Sequence, residues 1–331
     1  MNLKKAIISG LKVALPIGLG IYLVIYVYNS LSATEKTELF ESFGRANYFW
    51  VAISLIFAVL SHVSRAYRWK YLLEPLGHSP SFINSFYTVM IGYIANLVFP
   101  RIGEITRCGM MSKYEKIPFN QLFGTVVAER VFDMLILLSI TAGVVLFQLD
   151  TLGGLLSDFM NSGKDSDNGS LALIILLSGF IIALAVFGVI WKSNHVFAVK
   201  VKGIILGFWD GIKTVLVMKN KLLFFAHTLF IWIMYILMFY IVLLSLPETS
   251  DISIIAILAA FIMGGLSIVF VQGGIGVYPL AIMQTLMLYG VAKTSGLAMG
   301  WIIWTTQTIM IIIVGAFSLI MLPIHNKKKN G

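Results

Sequence analysis

The sequence has 331 residues, of which 59% are hydrophobic and only 12% are charged. A soluble domain carries roughly 25% charged residues, so this composition excludes an ordinary soluble enzyme or binding module. The net charge of +9 does not indicate nucleic-acid binding, because the basic residues lie in short loops between apolar runs. Cys108 is the single cysteine, which excludes an internal disulfide, and no His or Cys spacing predicts a metal or another cofactor.

Apolar runs of about 20 residues recur along the chain, and each is long enough to cross a hydrocarbon core of about 30 Å as a helix. They predict an all-α polytopic membrane protein that forms one domain over residues 1–331. Two more stretches, 82–99 and 252–292, are interrupted and are interpreted as re-entrant elements; the alternative is two short spans in each, for ten helices. The six long predicted spans are 13–29, 49–70, 124–147, 171–191, 222–246 and 297–322.

The distribution of basic residues predicts the orientation of these spans. With the N-terminus in the cytoplasm, 20 of the 24 Lys and Arg residues fall in cytoplasmic segments or at their membrane edge. Cytoplasmic loops carry such an excess. The protein is therefore expected in a bacterial-type plasma membrane with both termini in the cytoplasm. Residues 148–170 are expected outside and 192–221 inside.

The order of long span, interrupted stretch and long span occurs twice, at an offset of about 170 residues. The two halves cover about 49–147 and 222–322, and 148–221 joins them. By the charge distribution the first half starts outside and the second inside, which predicts an inverted repeat. Interruptions at matching places in inverted halves are typical of a transporter's substrate site.

Charged residues surround the first interruption. Arg101, Glu104 and Arg107 have the spacing i, i+3 and i+6, so a helix that starts after Pro100 would place them along one side. An Arg guanidinium matches phosphate oxygens, and Glu104 is expected to pair with Arg101 or Arg107 or to contact a cationic headgroup directly. Asn96 lies one turn before the break, where lipid would not tolerate an unpaired amide. The alternative is a solvated cytoplasmic loop with an ordinary ion pair.

Two further groups of charges lie in the long spans. Glu129, Arg130 and Asp133 enter the span 124–147, where charges must be paired or face a wet cavity unless they lie in the interfacial first turns. Arg65 and Arg68 end an earlier span, either as members of the same site or as positive-inside anchors.

The second interruption is rich in glycine. Gly273, Gly274 and Gly276 would let backbone amides approach a ligand, or they would allow close helix packing. The sequence contains no phosphate loop for ATP, no H-E-x-x-H and no G-x-S-x-G motif, so none of these motifs supports an ATP-driven pump or a hydrolase.

Four patterns together carry a family resemblance: Arg65-x-x-Arg68-Trp69, Gly92-x-x-x-Asn96-x-x-x-Pro100-Arg101-x-Gly103-Glu104-x-x-Arg107, Glu129-Arg130-x-x-Asp133 and Gly273-Gly274-x-Gly276-Val277. From about residue 10 to 322 the chain resembles the lysylphosphatidylglycerol synthase transmembrane (flippase-like) family. In family members joined to an aminoacyl transferase domain, the membrane half flips the product lipid. No segment of this sequence resembles that domain, so the resemblance implies lipid translocation without implying lysine transfer.

The resemblance and the charge pattern lead to one expected function and two alternatives. The expected function is a lipid flippase or flippase-like transporter for a phospholipid or lipid-linked headgroup, which would dock on the charged residues from Arg101 to Arg130. The expected partners are membrane lipids with anionic or lipid-linked headgroups, and a lipid-modifying enzyme. The alternatives are a membrane-embedded transferase on a lipid-linked substrate and a scaffold subunit for a separate synthase. The sequence leaves the oligomeric state open.

Overall fold

A computed structural model describes residues 3–99, 102–148, 193, 215, 218–269 and 271–329. These residues form helices and no strands, and four of the helices are long and apolar enough to cross a membrane. The predicted all-α polytopic class is therefore confirmed. The predicted span 171–191 lies outside the described residues.

The helices are numbered in chain order over the described residues. They are α1 (Leu3–Ser30), α2 (Ala33–Arg45), α3 (Tyr48–Leu73), α4 (Phe82–Val98), α5 (Gly103–Glu115), α6 (Phe119–Phe147), α7 (Lys221–Leu243), α8 (Pro247–Ser250), α9 (Ile254–Ser267), α10 (Val277–Leu288) and α11 (Lys293–Lys329). The four long apolar helices are α3, α6, α7 and α11, and each contains most of a predicted span.

The chain turns sharply between α1 and α2, which meet at 115°. A capping box begins α2: the Ser32 N–H donates to the Glu35 carboxylate at 2.7 Å, and the Glu35 N–H donates to the Ser32 hydroxyl at 3.2 Å. Satisfying these helix-terminal N–H groups stabilises a new helix start at this point. The first predicted span therefore continues into a separate, more polar helix.

The stretch 252–292 is broken between α9 and α10, whereas 82–99 forms one short helix, α4, that ends before α5. The helices α4, α9 and α10 have 17, 14 and 12 residues, or about 26, 21 and 18 Å at 1.5 Å per residue, each shorter than a hydrocarbon core of about 30 Å. Phe99 ends α4 in an extended conformation, as expected of a residue before proline. Whether these short helices are re-entrant stays a prediction.

Corresponding helices of the two halves begin about 170 residues apart, namely α3 and α7, α4 and α9, α5 and α10, and α6 and α11. The helices α3 and α7 pack against each other and run antiparallel. At one end the Asn47 N–H donates to the Ser245 carbonyl at 2.8 Å, and at the other the Ser64 hydroxyl lies 2.8 Å from Nδ1 of His227. An inverted repeat requires this antiparallel relation, and the membrane orientation of the halves stays a prediction.

Two groups of buried side chains position the charged residues. Trp69, Val89, Cys108 and Leu122 belong to a cluster that packs α3, α4, α5 and α6 together. A methionine-rich cluster, which includes Met238, packs α3 and α4 against α7 and α11. The short helix α4 is thereby packed against the long helices α3, α6, α7 and α11.

Candidate functional site

Seven charged side chains gather where α3, α5 and α6 meet. Spacings of three or four residues place Arg65 and Arg68 on one face of α3, and Glu129 and Asp133 on one face of α6. Five of the seven are buried, with Arg68 and Glu129 at 0% and 1% exposure. The set, called the charge cluster below, comprises Arg65, Arg68, Glu104, Arg107, Glu129, Arg130 and Asp133.

Asp133 is the centre of the α3–α6 contact. Its carboxylate accepts a hydrogen bond from Nη1 of Arg65 at 2.8 Å. It also accepts two from Arg68, from Nη1 at 2.7 Å and from Nη2 at 3.2 Å. Three charge-assisted hydrogen bonds compensate for the desolvation of these groups. Arg65 and Arg68 therefore belong to the same group of charges as Asp133, and their expected contact with a substrate stays a prediction.

Glu129 connects the same network to α5. Its Oε2 accepts a hydrogen bond from Nη1 of Arg107 at 2.7 Å, and its Oε1 lies 3.7 Å from Nε of Arg68. The expected pairing of Glu104 with Arg107 is therefore wrong, because Arg107 points to Glu129 on the neighbouring helix. Arg101, the other expected partner of Glu104, lies outside the described residues.

Glu104 instead pairs with Arg130, whose Nη2 donates to Oε1 at 2.6 Å. The side chains of Arg130 and Glu104 are 48% and 24% exposed, in contrast to the buried pairs. This pair forms the accessible edge of the charge cluster. It is less buried than the other pairs of the cluster, so it is the pair that a ligand can reach and separate most easily.

Asn96 holds the start of α5 against α4. Its Oδ1 accepts a hydrogen bond from the Gly103 N–H at 2.7 Å, which satisfies a helix-terminal donor. A Cβ at Gly103 would collide with the Gly92 carbonyl and lie 2.6 Å from the Asn96 amide. Glycine at position 103 therefore allows the close approach of α4 and α5 that brings Glu104 and Arg107 to the site.

Aromatic residues that the sequence analysis did not select surround Arg65. The Tyr235 hydroxyl accepts a hydrogen bond from Nη2 of Arg65 at 3.3 Å and lies 3.5 Å from the Tyr93 hydroxyl. The His62 ring is centred 4.6 Å from that of Tyr93. His62 and Tyr93 lie three residues before Arg65 and Asn96, a spacing that would have identified them. Tyr235 is in an apolar span with no such signal.

The charge cluster has four cations and three carboxylates, so it carries one excess positive charge. It borders a small pocket of about 20 Å³, large enough for about one water molecule. Three arginines and one carboxylate contribute to its wall. The lining residues are Arg65, Val89, Gly92, Tyr93, Asn96, Gly103, Glu104, Arg107 and Arg130.

The glycines of the second interruption do not line this pocket. Gly273, Gly274 and Gly276 have φ of 64°, 72° and 73°, and Nε1 of Trp304 donates to the Gly273 carbonyl at 2.7 Å. A Cβ at Gly276 would collide with the Gly20 carbonyl of α1. In this structure the glycines serve a tight turn and close packing, and their expected contact with a ligand stays a prediction.

The glycine turn nevertheless approaches the end of α4. A Cβ at Gly273 would lie 3.7 Å from the Leu97 side chain near the end of α4. The structure thus brings Asn96 next to the charge cluster, with the glycine turn next to the end of α4.

Two curated relatives match parts of the chain. The UPF0104 membrane protein MJ1595 of Methanocaldococcus jannaschii is 37% identical over 99 residues, which are 29% of this chain and 30% of that protein. Glycosyltransferase AglD of Haloferax volcanii is 32% identical over 124 residues, which are 37% of this chain and 19% of that protein. The matches thus span less than a third of each relative.

No solved structure matches the chain. The family model of the lysylphosphatidylglycerol synthase TM region matches residues 11–315, nearly the whole sequence. The chain is therefore a multi-pass membrane protein that belongs to the lysylphosphatidylglycerol synthase transmembrane family.

Proposed function

We propose that the protein is a lipid flippase or flippase-like transporter that moves a lipid with an anionic headgroup across the plasma membrane. The observation that carries this proposal is the buried charge cluster, with its excess positive charge, beside a break between two short helices. Buried charges are costly in a membrane protein and commonly mark a substrate path. The family membership supports a lipid-related role.

The charge cluster offers what an anionic headgroup needs on its way through the bilayer. A headgroup that leaves water loses hydrogen bonds, and an unpaired charge in an apolar medium is very unfavourable. Arg65, Arg107 and Arg130 line one pocket, and their N–H groups can replace water as donors to phosphate oxygens. The same pocket lies between the short helices α4 and α5 and the long span α6.

A second candidate is a membrane-embedded transferase that acts on a lipid-linked substrate. The similarity to glycosyltransferase AglD over 124 residues favours it. A transferase would change the covalent structure of its lipid, whereas a flippase would only change the leaflet. A scaffold for a separate lipid-modifying enzyme would do neither alone.

Reconstitution separates these candidates. The purified chain is placed in vesicles that contain a fluorescent phosphatidylglycerol or a fluorescent phosphatidylcholine, and a membrane-impermeant reductant quenches the outer leaflet. The flippase proposal predicts faster exposure of the inner-leaflet anionic lipid than in protein-free vesicles, with less effect on the zwitterionic lipid. Chromatography of the same lipids would show a new product if a transferase acted on them with a supplied donor. No exposure above the protein-free rate would contradict the flippase proposal.

A further inference from the structure

Arg107 is held from two directions. Its Nη1 donates to the Glu129 carboxylate at 2.7 Å, and its guanidinium carbon lies 3.6 Å from the centre of the Trp69 ring. Trp69 is fully buried, and its Nε1 donates to the Thr125 hydroxyl at 2.8 Å. The ion pair and the cation–π contact together fix the position of the Arg107 guanidinium.

One edge of this guanidinium has no partner. Nε and Nη2 of Arg107 are buried and have no hydrogen-bond acceptor within the described part of the chain. In the planar guanidinium, Nη1 lies on the same side as Cδ. The Nε–H bond and one N–H bond of Nη2 lie on the other side and point in the same direction. This is the edge with which an arginine grips two oxygens of one carboxylate or phosphate.

Two buried donors without an acceptor reduce stability, and native proteins retain few of them. Arg107 also lines the pocket beside Glu104 and Arg130. An anion that entered this pocket would supply acceptors to Arg107 and neutralise the excess charge of the cluster. The unpartnered Nε and Nη2 edge of Arg107 therefore indicates a binding site for an oxyanion.

The pocket of about 20 Å³ holds only about one water molecule, so a phosphate group cannot enter without a rearrangement. The part of the pocket wall that can move most easily is the partly exposed pair of Glu104 and Arg130. Glu104 already places a carboxylate oxygen 2.6 Å from Nη2 of Arg130. An incoming phosphate would replace that oxygen and form the same type of bond.

We propose that Arg107 and Arg130 form an oxyanion site for the phosphate of a lipid headgroup, and that Glu104 competes with the phosphate for Arg130. This inference rests on the proposed function and adds to it the bound group, the two contacting residues and an internal competitor. Binding exchanges one anionic partner of Arg130 for another. The competitor would keep the site closed while no phosphate is present.

The test measures phosphate binding by the purified full chain in a neutral detergent, by titration calorimetry. The probes are dihexanoyl phosphatidylglycerol and inorganic phosphate. Glu104→Gln should bind the lipid about tenfold more tightly, since loss of one charged competitor is worth roughly one charge-assisted hydrogen bond. Arg107→Lys should bind it about tenfold less tightly, because lysine keeps the charge and loses the paired donors. The control Arg45→Lys alters an exposed pair with Glu248 and should leave affinity unchanged.

The two variants test the proposal in opposite directions. Tighter lipid binding by Glu104→Gln cannot result from a damaged fold. This variant therefore remains informative if Arg107→Lys fails to fold. Equal or weaker binding by Glu104→Gln would overturn the proposal that Glu104 competes with the phosphate. Wild-type affinity in folded Arg107→Lys would overturn the proposal that Arg107 contacts the phosphate. Inorganic phosphate that binds as tightly as the lipid would overturn the headgroup as ligand.

The outcome is separable from that of the proposed function. Lipid translocation by a wild-type chain that binds neither probe would overturn the oxyanion site and leave the transport proposal standing. Binding with the predicted effects of both variants, but without translocation, would support the site and contradict the transporter.

Discussion

Asp133 of α6 accepts a two-pronged hydrogen bond from Arg68 of α3, with N–O distances of 2.7 and 3.2 Å. The Arg68 side chain has 0% exposure. Such a pair adds little net stability when intact, because desolvation offsets most of the attraction, but loss of one partner leaves an uncompensated buried charge. The pair therefore ties α3 to α6, and the shared Asp133 carboxylate also positions Arg65.

Asp133→Asn should destabilise the protein by about 3–5 kcal/mol, since Arg65 would lose its carboxylate and Arg68 the closer of its two. Thermal unfolding in detergent measures the change. Glu248→Gln is the matched control, because Glu248 pairs with the exposed Arg45 and should change stability by at most about 1 kcal/mol. Similar unfolding temperatures for the two variants would show that the Asp133 carboxylate is not needed in the buried network.

Gly276→Ala should also destabilise the fold, through two separate effects. A φ of 73° with a ψ of −42° is a strained conformation that costs a non-glycine residue about 1–3 kcal/mol, and the new Cβ would collide with the Gly20 carbonyl. Gly265→Ala is the control, because its Cβ would meet nothing within 4 Å and alanine favours a helix by about 1 kcal/mol. Melting curves of the two variants should shift in opposite directions, and an unchanged Gly276→Ala would argue against close packing of α1 on the glycine turn.

The sequence predicted the helices well and the contacts between them poorly. Spans such as α3 and α7 follow from long apolar runs, and the end of α4 follows from Pro100. The partner of Arg107 did not follow, because spacing along one helix gives no information on which face meets Glu129 of another. Tyr235 was missed for the same reason, since a tyrosine in an apolar span has no local feature that indicates an arginine partner.

The thiol of Cys108 should react slowly in the folded protein. Burial raises its pKa to about 11, and only the thiolate is a good nucleophile. Because folding disfavours the thiolate, the stability that this thiol contributes is complete below about pH 8.5 and falls as the pH rises to about 11. A maleimide should label the native chain much more slowly than the denatured chain at neutral pH, and equal rates would contradict the burial.

This slow thiol makes the wild-type chain a suitable background for a topology test. Glu41 and Lys219 are both exposed and are predicted on opposite sides of the membrane. In intact cells an impermeant maleimide should label Glu41→Cys and leave Lys219→Cys unlabelled, while both should react after the membrane is permeabilised. Labelling of Lys219→Cys in intact cells would contradict the predicted cytoplasmic placement of 192–221.

The most direct test of the account is the translocation rate of fluorescent phosphatidylglycerol in vesicles that contain Arg107→Lys, with Arg45→Lys as the control. Arg107→Lys keeps the charge and loses the paired donors, so the account predicts a rate reduced about tenfold, given the worth of one charge-assisted hydrogen bond. The control should match the wild-type chain in rate and in unfolding temperature, and a cooperative thermal unfolding transition shows that Arg107→Lys is folded. A folded Arg107→Lys that translocates the lipid at the wild-type rate would contradict the claim that the charge cluster handles the headgroup.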